Sequence, residues 1–133
     1  MMNKIVLFLV LQMVSFALRA QGKFDQWPQL KAFHQVMSQT FHPSEEGNLA
    51  PIKKRSGELA EKALALKQGG IPEAFNNKKV AAAVNQLAKD SKKLDALVKK
   101  NGSDDAIKKS LAKLHDTFHQ IVERCVPGKE HKE

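Results

Sequence analysis

The sequence predicts an all-α protein, an antiparallel up-down-up-down four-helix bundle, and three observations support that fold. Between residues 21 and 126 apolar residues recur at intervals of three and four, which is the period of an amphipathic helix. Glycine and proline mark the boundaries of these runs. The connections between the runs are short, and short connections make consecutive helices antiparallel neighbours.

The first two helices are separated by proline and glycine signals. Helix 1 is predicted to start at Asp25 as its N-cap, with Pro28 in the first turn, and to stop at Pro43, because proline cannot continue a helix. Helix 2 is predicted to start between residues 44 and 51 and to run to about Lys67, before two glycines.

Helices 3 and 4 have clearer ends. Helix 3 is predicted from about Asn77 to Lys100, and Asn101-Gly102 terminates it. Ser103 is the predicted N-cap of helix 4, which continues until Pro127-Gly128 opens a charged C-terminal tail, residues 127–133. The positions expected to point into the core share the helical spacing. They are Leu30, Phe33, Met37, Phe41, Leu49, Ile52, Ser56, Leu59, Ala63, Leu66, Val80, Val84, Leu87, Ser91, Leu94, Val98, Ile107, Leu111, Leu114, Phe118, Ile121 and Cys125.

Residues 1–20 have the pattern of a cleaved signal peptide. Lys4 supplies a positive charge, Ile5 to Leu18 is an apolar run, and Ala20 is a small residue at the expected cleavage site, so cleavage is predicted before Gln21. The apolar run is shorter than the roughly 20 residues that span a bilayer. The sequence therefore predicts a periplasmic or secreted protein without stable membrane insertion, whose bundle occupies residues 21–126.

Charge and cysteine content exclude some functions. The net charge of +8 becomes +6 once Lys4 and Arg19 are removed with the signal peptide. The lysines are spaced along helix surfaces without interleaved aromatic residues, so no nucleic-acid partner is expected. With Cys125 as the single cysteine, the chain is predicted to be a monomer or a Cys125-linked dimer. No nucleophile motif, phosphate loop or spaced carboxylate pair is present, and an enzyme is not expected.

The histidines suggest a metal site between helices 1 and 4. His115 and His119 are spaced i, i+4, which places two imidazoles on one helix face. Heptad counting puts His34 and His115 both at position e, and e faces e in antiparallel neighbours. These three histidines predict a site for a transition metal, zinc or copper. His42 and Glu46 are outer candidates near the end of helix 1.

Simpler explanations exist for the same residues. Histidines at i, i+4 also occur as solvated surface residues, and acidic residues beside Ser44 are typical of helix capping. Ser56 and Ser91 occupy interior positions where leucine or valine is expected. They predict either hydroxyls bonded to a carbonyl one turn earlier or a polar cavity inside the bundle.

Met37 on helix 1, with His115 or His119 on helix 4, gives a second interpretation of the site. This layout resembles the periplasmic b-type four-helix cytochromes, and the resemblance implies haem b bound by a methionine of the first helix and a histidine of the last. The chain lacks the Cys-x-x-Cys-His motif of covalent haem attachment, since Cys125 stands alone. A third interpretation is a periplasmic interaction or chaperone module that binds no metal.

Overall fold

The computed structural model describes residues 25–125. The predicted signal peptide and the predicted charged tail lie outside these residues. Within them the chain forms α-helices and one short 3-10 helix, and no strand. The predicted all-α class and the four-helix bundle are confirmed. No helix among the described residues is long and apolar enough to cross a membrane.

Four helices make up the bundle, numbered here in chain order. They are α1, Pro28–Glu45; α2, Ala50–Gln68; α3, Lys78–Lys99; and α4, Asp104–Arg124; the 3-10 helix Glu73–Phe75 lies between α2 and α3. The predicted N-cap Ser103 is confirmed, and Asn77, the predicted start of helix 3, is the N-cap of α3. The Asn77 side chain accepts a hydrogen bond from the Val80 amide, and Ser103 Oγ accepts one from the Ala106 amide.

Both predicted ends of α1 differ from the structure. Trp27, not Asp25, is the N-cap residue, and Asp25 instead pairs with Lys31 at 3.5 Å. At the other end α1 continues through Pro43 to Glu45. The helix closes there because the amides of Gly47 and Asn48 donate to the carbonyls of Ser44 and Pro43, a Schellman arrangement that satisfies the last turn.

Gly47 adopts a left-handed conformation, with φ of 84°. Gly47→Ala should lower the free energy of unfolding by about 1–2 kcal/mol, because a Cβ disfavours this backbone region. Gly57→Ala is the matched control, since Gly57 lies inside α2 and an added Cβ would make only an ordinary 3.7 Å contact with Asp95 Oδ1. The free energy of unfolding of that control should rise by about 0.5–1 kcal/mol, because alanine is favoured over glycine inside a helix. Urea denaturation of both variants measures the two effects, and changes of the same sign would contradict the assignment of Gly47.

The four helices pack around one core, and the first helix contacts the last. Each consecutive pair is in contact, and α1 also contacts α4 over a shorter stretch. Every predicted core position is buried except Val98, which is partly buried against the core. Burial also extends to residues that the helical spacing did not predict, chiefly Trp27 and Phe75, whose rings stack with centroids 6.2 Å apart. These two rings close one part of the core from outside the regular helices.

The interior serines differ from each other. Ser56 Oγ donates to Asp95 Oδ1 at 2.8 Å across the α2–α3 interface, rather than to a carbonyl of its own helix. Lys99 pairs with the other oxygen of Asp95 at 2.8 Å. Both interactions lower the pKa of the Asp95 carboxyl, the ion-pair hydrogen bond to Lys99 most strongly. Ser91 Oγ is buried and has no hydrogen-bond partner among the described residues.

Candidate metal centre

A small pocket lies between α1 and α4, with a volume of about 160 Å³. Its lining consists of four histidines, two phenylalanines, a methionine and a serine. They are His34, Met37, Ser38, Phe41, His42, His115, Phe118 and His119. The structure therefore brings all four histidines of residues 25–125 to one place, as the positions on helices 1 and 4 predicted for three of them.

His115 and His119 place two imidazole nitrogens next to each other in this pocket. Their Nε2 atoms are 3.1 Å apart, and the rings are nearly perpendicular, at 83°. Without an ion, one ring donates an N–H to the lone pair of the other. Two imidazole nitrogens on one tetrahedral ion, each at about 2.0–2.1 Å from the metal, lie about 3.3 Å apart. The Nε2–Nε2 distance in the structure is close to that value.

Phenylalanine rings hold the two half-buried histidines in place. The Phe41 ring of α1 stacks on His115 of α4, with centroids 3.7 Å apart and planes at 12°. In the reverse direction, the Phe118 ring of α4 stacks on His34 of α1 at 5.3 Å and 11°. Because each contact joins the two helices, the imidazoles are oriented by the α1–α4 interface itself.

The environment favours neutral imidazole. Burial lowers the pKa of His115, and the charge of His119 lowers it further, while Asp116 and Glu45 act in the opposite direction. The pKa of His34 is lowered by burial and by the charges of His119 and His42. Neutral rings keep the lone pair that a metal requires.

The other predicted ligands lie at the margins of the pair. Ser38 Oγ is hydrogen-bonded to His34 Nε2 at 3.1 Å, so binding of an ion through this nitrogen would displace the hydroxyl. His42 lies at the exposed end, with its Nδ1 3.9 Å from Glu45 Oε2. Glu46 is exposed and is not part of the pocket lining. Glu45 is one of two carboxylates, with Asp116, whose charge raises the pKa of His115.

Among residues 25–125, no group of three or more histidine, cysteine, aspartate or glutamate side chains is arranged so that it could hold a metal ion. The preformed part of the centre is therefore the His115–His119 pair. A third ligand has to come from a side chain that turns toward the pair, from a sulfur donor or from water.

The haem interpretation depends on this same pocket. Met37 does line it together with His115 and His119, as the cytochrome resemblance requires. However, cavities that hold drug-sized ligands measure about 300–1,000 Å³, and a haem macrocycle is at the upper end of such ligands. The volume of this pocket, about 160 Å³, lies below that range.

Ser38 was missed, although simple spacing could have found it. Ser38 follows His34 by four residues, so it shares a helix face with that histidine. Comparison of the chain with family models, with curated proteins and with solved structures finds no match. The functional assignment consequently depends on the geometry of the α1–α4 pocket.

Proposed function

We propose that this chain is exported, loses its signal peptide before Gln21, and binds a divalent transition metal ion, zinc or copper, between the first and last helices of an antiparallel bundle. The observation that carries the proposal is the 3.1 Å separation of His115 Nε2 and His119 Nε2. This is nearly the spacing at which two imidazoles share one ion. The protein would hold or buffer the ion and would catalyse no reaction.

The surroundings support this function because they orient the donors and keep them unprotonated. Phe41 fixes the His115 ring, and burial lowers the His115 pKa. His34 is the proposed third imidazole, and it reaches the ion once its hydrogen bond to Ser38 is given up. His42 stands at the exposed end of the pocket, with Glu45 beside it, as an outer ligand or entry point.

The test is a titration of metal-free protein starting at Gln21, produced with a cleavable leader. All the buried core residues named above lie between Trp27 and Cys125, so this form retains the described fold. Zinc and then copper are added while heat is measured calorimetrically. We expect one ion per chain, and His119→Gln or His115→Gln should weaken binding by about 100-fold or more, because each removes a direct ligand.

His131→Gln is the matched control, since His131 belongs to the predicted tail, and its affinity should stay within about twofold of the unmodified protein. His34→Gln should give an intermediate loss of about tenfold. If the His119→Gln variant bound the metal ion as tightly as the unmodified protein does, the proposed site would be refuted. Uptake of haem with visible colour would instead support the cytochrome interpretation. If the protein bound neither a metal ion nor haem, the remaining interpretation would be an interaction or chaperone module.

A further inference from the structure

Met37 belongs to α1 and lines the same pocket as the histidine pair. Along α1 it follows His34 by three residues and precedes Phe41 by four, so these three side chains share one helix face. Each flanking residue stacks on an α4 ring of the site, His34 on Phe118 and Phe41 on His115. Met37 itself lines the pocket and is 1% exposed.

From this arrangement, and building on the metal-binding function proposed above, we propose that the physiological ion is copper in its cuprous state, bound by His115 Nε2, His119 Nε2 and the thioether sulfur of Met37. The donor set contains two imidazoles and one soft sulfur. Thioether sulfur favours Cu(I), whereas zinc gains little from it and is bound by imidazole, thiolate and carboxylate.

The pocket walls also suit a cuprous ion. Cu(I) carries a single charge and accepts three ligands, so it needs neither a carboxylate nor a coordinated water. The α1–α4 pocket offers phenylalanine rings and a buried methionine around the pair, with the exposed end occupied by His42. Within residues 25–125 no three histidine, cysteine, aspartate or glutamate side chains are arranged to hold an ion, and a sulfur from Met37 supplies the missing third donor.

The sequence makes Met37 unusually easy to test. The chain has four methionines, and the other three, Met1, Met2 and Met13, belong to the predicted signal peptide. Protein that starts at Gln21 therefore contains one methionine. Labelling with [methyl-¹³C]methionine gives a single methyl signal that reports on the sulfur of Met37 alone.

The experiment adds Cu(I), supplied as its acetonitrile complex under nitrogen, or Zn(II), to labelled metal-free protein. The methyl signal should shift in proportion to bound Cu(I) and should move much less with Zn(II). In competition with a chromophoric Cu(I) chelator, Met37→Leu should lose Cu(I) affinity by about tenfold or more, because losing a ligand costs at least as much as losing an outer-shell partner. Its zinc affinity should stay within about twofold.

Met37→Leu conserves core volume and should therefore fold, which circular dichroism checks. Leu30→Met is the matched control, because Leu30 is a fully buried α1 residue outside the pocket lining. In that variant the added methyl signal should not respond to Cu(I). Unchanged Cu(I) affinity in Met37→Leu, or equal losses for Cu(I) and Zn(II), would show that Met37 only fills the core. Failure of every ion to bind the unmodified protein would instead overturn the proposed function.

Discussion

Zinc supplied at about a thousand times its dissociation constant is expected to raise the free energy of unfolding by about 4 kcal/mol near neutral pH, because in the proposed function the ion binds the folded chain and not the unfolded one. This gain should disappear as the pH falls below about 6. Protons then occupy the imidazole nitrogens that would otherwise bind the ion. Urea denaturation with and without zinc, repeated across the pH range, measures the difference.

The metal-free protein should also lose stability as the pH falls. In the folded state burial lowers the pKa values of His34 and His115 from their ordinary value, whereas in the unfolded chain both rings titrate near 6.5. As the pH drops through that value the unfolded chain takes up protons first, so the equilibrium shifts toward it. The stability present above about pH 6.5 is lost progressively until both folded rings are protonated.

A single variant separates these effects. In His119→Gln the zinc-dependent gain should vanish, while most of the burial of His34 and His115 persists, so the decline of metal-free stability on acidification should remain. A zinc gain that is unaffected by pH, or that survives in His119→Gln, would contradict binding through the imidazole pair.

Trp27→Ala is expected to cost about 3–5 kcal/mol of unfolding free energy, the range found when a buried aromatic side chain is truncated and a cavity remains. Trp27 has no exposed surface and stacks on Phe75. The free energy of unfolding of a folded protein is about 5–15 kcal/mol, so the loss caused by Trp27→Ala would be a large part of it. Circular dichroism during urea denaturation follows the change, since the variant lacks the chain's one tryptophan.

Trp27→Phe is the informative companion. The indole Nε1 is buried and has no hydrogen-bond partner among the described residues, which costs about 1–3 kcal/mol. Phenylalanine removes that unpaired donor while it keeps a ring against Phe75, so the loss should be at least about 2 kcal/mol smaller than for alanine. Equal losses in the two variants would indicate that the ring does not contribute through packing.

Helix spacing and capping residues made most of the fold predictable from the sequence. Asn77 and Ser103 cap helices by local hydrogen bonds, and such bonds depend on neighbouring residues only. Trp27 could not be assigned in the same way, because it precedes the regular helix and its burial depends on Phe75, far along the chain. The end of α1 was misplaced at Pro43 because closure of its last turn depends on Gly47 and Asn48 beyond it.

The candidate site was predictable to a similar extent. The approach of His115 and His119 follows from their i, i+4 spacing in one helix. Which nitrogen of His34 is engaged depends on a side-chain rotamer and on Ser38, and spacing does not determine a rotamer. Glu45 and Glu46 differ by one position, about 100° around a helix, so the choice between them required the actual helix end.

The position of the pocket between the first and last helices gives an ion an additional role. A chain with one cysteine cannot form an intramolecular disulfide. An ion held by two histidines of α4 and the thioether of α1 would be a reversible cross-link that closes a loop containing α2 and α3. A covalent cross-link closing a loop of about 100 residues removes about 4–5 kcal/mol of unfolded-state entropy. Copper in this pocket would thus be a reversible cross-link between the first and last helices of the bundle.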